Sequence, residues 1–176
     1  MGRWEAQYSN NPILQYPIAF CLMRHPSLIP LSQDHHHGLA LALRCRKQAL
    51  GQIKPMGAEG LRERAKEFLV FYATSLVAHF RAEEEILFPL LLSAVPESNR
   101  VINELVRDHE QIREATTRLE NGTGLAKLIF DLGDLLERHI RKEERELFPL
   151  FEQHVKAAEA EALGEELKRR LEKRSS

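Results

Sequence analysis

The sequence predicts an all-α fold, an antiparallel up-down-up-down bundle of four helices. Three observations carry that expectation. From Leu31 onward, apolar residues recur at three- and four-residue spacing, the mark of amphipathic helices, and no alternating strand pattern competes with it. Short breakers divide this stretch into four long segments, and connections of a few residues suit antiparallel neighbours. The chain has 176 residues, of which 43% are hydrophobic and 29% charged, enough for one domain with its own core.

The elements follow in order. Residues 1–30 carry Pro12, Pro17, Pro26 and Pro30, which argue against a long helix, so this segment reads as an arm packed on the bundle through Ile18, Phe20 and Leu22. The helical domain is expected over 31–155. Its first helix runs from Ser32 to Leu50, stopped by the 51–57 stretch with Gly51, Pro55 and Gly57. The second runs from Glu59 to Leu92, with Pro89 expected to kink or end it. The third occupies Glu97 to Leu119 and stops at Asn121-Gly122, and the fourth reaches from Gly124 to Val155, with Pro149 near its end. Residues 156–176 form a C-terminal tail with Leu163, Leu167 and Leu171 at four-residue spacing, glutamates early and basic residues late, which suits a short helix. Its apolar stripe is offered to its own bundle, to a protein partner or to a second copy in a homodimer.

Several function classes fall away on composition. Formal net charge is −1, from 25 basic and 26 acidic residues, so no electrostatic footprint for nucleic acid or an anionic membrane is present. Two cysteines, Cys21 and Cys45, make no disulfide framework and read as small buried hydrophobes; no secretory leader pattern and no membrane-spanning stretch is visible. The expected location is cytoplasmic.

The chemistry lies in the histidines, of which there are 8. The segment from His79 to Leu92 recurs sixty residues later, from His139 to Glu152, with eight of fourteen positions identical: His79/His139, Arg81/Arg141, Glu83/Glu143, Glu84/Glu144, Leu87/Leu147, Phe88/Phe148, Pro89/Pro149 and Leu90/Leu150. A weaker repeat pairs Leu31-x-x-Asp34-His35 with Leu105-x-x-Asp108-His109. The chain thus reads as two helical hairpins, each with Asp-His early and His-x-x-x-Glu late.

His-x-x-x-Glu places an imidazole and a carboxylate one helical turn apart, roughly 6 Å along one face. These residues share their faces with apolar ones. His79 follows Leu76 by three and Glu83 precedes Leu87 by four; His139 follows Leu136 by three and Glu143 precedes Leu147 by four. His109 shares a stripe with Leu105 and Ile112. They point at the bundle axis, where an ionised carboxylate without a partner would cost several kcal/mol, and a cation removes the difficulty. Four histidines and two glutamates are too many donors for one tetrahedral zinc and suit two metals bridged by carboxylates. Nitrogen and oxygen donors without thiolate favour iron, with manganese or zinc as alternatives; two non-haem iron ions are the expected cofactor.

Other assignments stay open at this stage. His36 competes with His35, because a helical phase through Leu39 and Leu43 favours it. Glu144 competes with Glu143 through its five-residue spacing from His139, and otherwise Glu84 and Glu144 read as outer partners of Arg81 and Arg141. Tyr72, two turns before His79, is a candidate hydrogen-bond donor to the pocket. His25 and His154 lack matching partners.

With these motifs in hand, residues 31–155 resemble the hemerythrin-like, or HHE cation-binding, domains. That resemblance implies a four-helix bundle holding a non-haem di-iron centre with an oxo or hydroxo bridge. The family pattern falls on His35, His79 with Glu83, His109, and His139 with Glu143 or Glu144. An oxygen carrier of the family would have a fifth histidine four residues after His109, where this chain has Arg113. The sequence is therefore more similar to members with four histidines and two bridging glutamates, among them iron-centre repair and nitric-oxide-response proteins. The implied function is binding or sensing of O2, NO, peroxide or iron. The alternatives are a di-iron enzyme or repair protein, acting in peroxide or NO reduction or iron donation, and a zinc-bound or metal-free structural bundle. A ferritin-like oxidase is disfavoured because Glu-x-x-His occurs at none of the histidines.

Overall fold

The structure is a computed structural model of the chain, and it describes residues 24–122 and 124–172. Every element among them is helical. A 3-10 turn, Pro26–Leu28, leads into α1, Ile29–Ala49. The second helix, α2, spans 57–94, followed by a second 3-10 turn, Pro96–Ser98, and α3, Asn99–Glu120. Helix α4 spans 125–154, and α5 is Ala157–Glu172.

Two stretches of buried apolar side chains, one toward each end of the bundle, fix how the helices run. One cluster contains Leu31 of α1, Leu87 and Leu91 of α2, Leu105 of α3 and Leu147 and Phe151 of α4. The other contains Leu41 of α1, Phe68 and Leu76 of α2, Ile112 and Leu119 of α3, and Leu132 and Leu136 of α4. Along α1 and α3 the chain passes from the first cluster to the second, and along α2 and α4 it returns, which is the expected antiparallel alternation. On every helix the candidate ligands sit between the two clusters, so a buried polar layer divides the apolar core.

Of the arm expected over 1–30, residues 1–23 lie outside the described residues; the 3-10 turn Pro26–Leu28 packs on the bundle through Leu28, and α1 begins at Ile29, ahead of the expected Ser32. Pro30 fits in the first helical turn because an N–H there needs no helical partner. Pro89 does not end α2, which continues to Ala94, and α4 runs past Pro149 to His154, close to its expected end. A π-turn precedes each, Glu83–Leu87 and Glu143–Leu147, closed by Phe88 N–H to the Glu83 carbonyl and Phe148 N–H to the Glu143 carbonyl. Pro89 and Pro149 thus fall in the first turn of a fresh α-helical segment, where a missing donor costs little. A further π-turn, Tyr72–Leu76, lies in α2 without a proline to mark it. As expected of a docked helix, α5 buries its apolar stripe within the chain, since Ala160, Leu163, Leu167 and Leu171 all join the first cluster. The helix lies against the 26–28 turn and the middle of α2, and an added Cβ on Gly164 would stand 2.7 Å from Ser27 Cβ.

No helix among the described residues is long and apolar enough to cross a membrane. Cys45 is fully buried, as expected, and burial pushes its thiol up to about 12; Cys21 lies outside the described residues.

Candidate metal centre

Helical periodicity delivers one candidate from each of α1 and α3 and two from each of α2 and α4. All six are buried: His35, His79, Glu83, His109, His139 and Glu143 are at most 3% exposed. Their donor atoms meet in the polar layer as two groups, His35, His79, Glu83 and Glu143 in one, and Glu83, His109, His139 and Glu143 in the other; within each, the atoms lie inside 4.8 Å of one another. Both groups use both glutamates. His36 and His37 face outward, so α1 contributes His35 alone.

A carboxylate from another helix stands behind the outer nitrogen of each of the four imidazoles, within hydrogen-bond distance at three of them. Asp34 Oδ2 of α1 lies 3.1 Å from His79 Nδ1 on α2, and Glu84 Oε1 of α2 lies 2.6 Å from His109 Nδ1 on α3. Asp108 Oδ2 of α3 lies 3.7 Å from His139 Nδ1 on α4, beyond hydrogen-bond range, and Glu144 Oε1 of α4 lies 2.7 Å from His35 Nδ1 on α1. An ionised carboxylate only accepts, so at the three short contacts Nδ1 donates and Nε2 is turned to the interior.

Inside, the Nε2 atoms face one another in two pairs, His35 with His79 at 3.1 Å and His109 with His139 at 3.2 Å. Two neutral imidazoles cannot satisfy each other with lone pairs. The carboxylates stand against the same nitrogens: His35 Nε2 lies 3.0 Å from Glu143, His79 Nε2 3.1 Å from Glu83, and His109 and His139 each 3.4 Å from Glu83 and Glu143 respectively. None of the four oxygens of Glu83 and Glu143 receives an aligned hydrogen bond, although both residues are fully buried. A layer of unshared carboxylate oxygens and converging imidazole nitrogens is the donor set a hard or borderline cation needs.

Protons can stand at the same positions. Burial lowers the affinity of His35 for a proton, but the adjoining carboxylates of Glu143 and Glu144 outweigh it and push it up to about 9. At His79 burial is likewise outweighed, by Glu83 and Asp34, and the value rises to about 10. Burial alone would raise Glu83, yet His79 and His109 hold it well below the usual carboxylate range.

Aromatic rings wall the layer. His35 stacks on Phe148, with ring centroids 5.4 Å apart, and His109 stacks on Phe80 at 3.8 Å and on Phe88 at 5.9 Å. Two arginines complete the outer ring. Arg24 Nη2 binds Glu144 Oε2 at 2.6 Å and lies over Phe148, while Ser32 Oγ donates to Glu144 Oε1 at 2.9 Å. Arg113 Nη2 binds both oxygens of Glu84, at 2.8 and 3.0 Å, and its guanidinium lies over Phe80.

These contacts correct the outer-partner assignment. Glu84 serves His109 and Arg113, and Glu144 serves His35, Arg24 and Ser32, whereas Arg81 is exposed and Arg141 pairs with Glu137 on its own helix. Because Glu144 is taken up in this way, Glu143 is the glutamate of that pair that faces the centre. Tyr72 packs against the second apolar cluster. His25 accepts from Ser27 N–H and caps the 3-10 turn, and His154 lies against the Leu150 carbonyl, both away from the centre. Sequence reasoning missed Arg24, Ser32 and the stacking phenylalanines, and gave Asp34 and Asp108 no role. The Asp-His repeat was the available signal, but each aspartate turns to the histidine of the following helix and not to its neighbour in sequence.

Fold and site together define a class: a four-helix bundle with a buried His/Glu cluster able to hold metal. The chain belongs to the hemerythrin family, since the model of the Hemerythrin HHE cation binding domain matches residues 29–151. No curated protein and no solved structure matches it significantly.

Proposed function

We propose that the chain is a non-haem di-iron protein that binds or senses a small ligand, O2, NO or peroxide, at a carboxylate-bridged centre. The observation that supports this most directly is the sharing of both glutamates between the two donor groups. In this reading His35 and His79 would hold one ion and His109 and His139 the other, with Glu83 and Glu143 available to both. When bound, the iron pair would supply redox chemistry and coordination positions for the small ligand.

The chain's own residues prepare that site. Asp34, Glu84 and Glu144 hold three imidazoles in the orientation that points Nε2 inward. Phe80, Phe88 and Phe148 stack on the imidazoles and give the centre apolar walls. His35 and His79, with their raised proton affinities, hold protons against Glu143 and Glu83 when no cation is present, so metal uptake at neutral pH releases protons.

The test is metal analysis of protein produced in iron-rich medium, with an optical spectrum taken anaerobically and again after exposure to O2 or NO. The expected result is about two iron ions per chain and a spectral change on exposure, both lost in Glu83→Ala. An iron content that stays clearly below two per chain overturns the two-metal reading. Stoichiometric uptake of the ligand supports the binding or sensing role; turnover of peroxide or NO that disappears in Glu83→Ala supports the enzymatic alternative.

A further inference from the structure

The pseudo-twofold repeat makes the two halves of the centre alike in their inner donors, and the outer ring makes them different. Around His35 and His79 both Nδ1 atoms meet their carboxylates within hydrogen-bond distance, at 2.7 and 3.1 Å. Glu144 behind His35 has a side chain only 9% exposed and takes donors from three residues, His35, Arg24 and Ser32. Arg24 is itself 5% exposed in its side chain and is fixed a second time by Glu152 at 3.0 Å. Helix α5 and the 26–28 turn close this side of the bundle over α1 and α2.

Around His109 and His139 the same positions are looser. The Glu84 side chain is 29% exposed and Arg113 37%, so the carboxylate that orients His109 is gripped by a guanidinium in contact with water. At His139 the link is longer: Asp108 Oδ2 stands 3.7 Å from His139 Nδ1, an ion-pair distance, and neither atom has a hydrogen-bond partner in range. No fifth helix covers this half among the described residues.

Resting on the two-metal reading above, we propose that Arg24 and Arg113 are non-equivalent positioning residues that make the two ions exchange differently: the ion between His35 and His79 is retained, and the ion between His109 and His139 is the labile one. An imidazole whose orientation is fixed by a buried, charge-assisted contact needs no reorganisation to rebind an ion that has begun to leave. One whose outer partner is solvated or out of reach swings more freely, and its ion departs sooner. Loss of an outer partner typically changes metal affinity by about 10- to 100-fold, which sets the upper range of the difference expected between the halves.

Release kinetics test this without recourse to activity. Protein loaded anaerobically with ferrous ion is mixed with excess chromogenic ferrous chelator, and colour is followed to completion. The expected course has two phases of equal amplitude, one ion per chain each, with rates separated by about tenfold or more. Arg24→Gln should accelerate the slow phase and leave the fast one, while Arg113→Gln should accelerate the fast phase only. Arg24→Lys and Arg113→Lys, which keep the charge, should restore most of each rate, with far-ultraviolet circular dichroism reporting intact helices. A chain that holds two ions and releases both at one rate overturns this inference alone. A chain that holds fewer than two ions overturns the two-metal reading and this inference with it.

Discussion

Glu83 and Glu143 are the most unfavourable residues in the bundle and the most informative. Each is a fully buried carboxylate, which a bundle core tolerates only where positive charge stands against it. In the metal-free protein that charge is carried by protons, which gives a pH dependence with a definite sign. His35 and His79 bind protons more tightly in the fold, at about 9 and about 10, than the ordinary 6.5 of an unfolded chain. The stabilisation is fully present below 6.5 and is lost as pH rises through 9 to 10. Urea midpoints in the presence of chelator should therefore fall between pH 7 and 10, whereas those of metal-loaded protein should not; a flat apo profile would contradict this assignment. The six inner residues were legible because the repeat and the apolar phase both point to them. Arg24 was not, because it reaches Glu144 across 120 positions of sequence and lies in a stretch whose prolines suggested an arm.

The helices pack closely enough that single glycines report on their contacts. At Gly133 on α4, an added Cβ would lie 2.7 Å from the Ala42 carbonyl oxygen and 2.9 Å from Cys45 Cβ on α1, atoms that cannot move independently of the helix. Gly133→Ala is expected to cost about 1–3 kcal/mol by chemical denaturation. Gly38→Ala meets only the tip of Ile140 at 2.7 Å, a flexible end that can turn aside, and should cost less. Equal effects would show that α1 and α4 do not approach as described. For α5, Leu167 is fully buried in the first apolar cluster, so Leu167→Ala should destabilise the whole domain by about 2–5 kcal/mol. A variant with unchanged stability would mean that α5 does not dock. The four long helices were readable from periodicity and breakers to within a few residues. The π-turns were not. Proline was read as an end to the helix because the sequence pattern cannot show that a wide turn just ahead, at Glu83–Leu87 or Glu143–Leu147, makes room for it.

At the scale of the molecule, the chain is two hairpins carrying the same frame, closed face to face around a polar layer, with an apolar cluster on either side. That arrangement explains why the resemblance to the HHE family was visible in sequence and why function was less so. Donor types and spacings are fixed by the repeat, but the ligand a centre takes depends on the outer ring and on access, which arise from contacts between helices. Arg113 illustrates the point, for it stands where an oxygen carrier of the family would have a fifth histidine and is engaged with Glu84 instead. The account's central claim is that two metal ions share Glu83 and Glu143. Its most direct test is an anomalous difference map from crystals of iron-loaded protein, recorded above the iron edge. The predicted result is two peaks per chain, about 3.5 Å apart, lying between the Glu83 and Glu143 carboxylates with His35 and His79 on one side and His109 and His139 on the other. A single peak, or none within the layer, would contradict it.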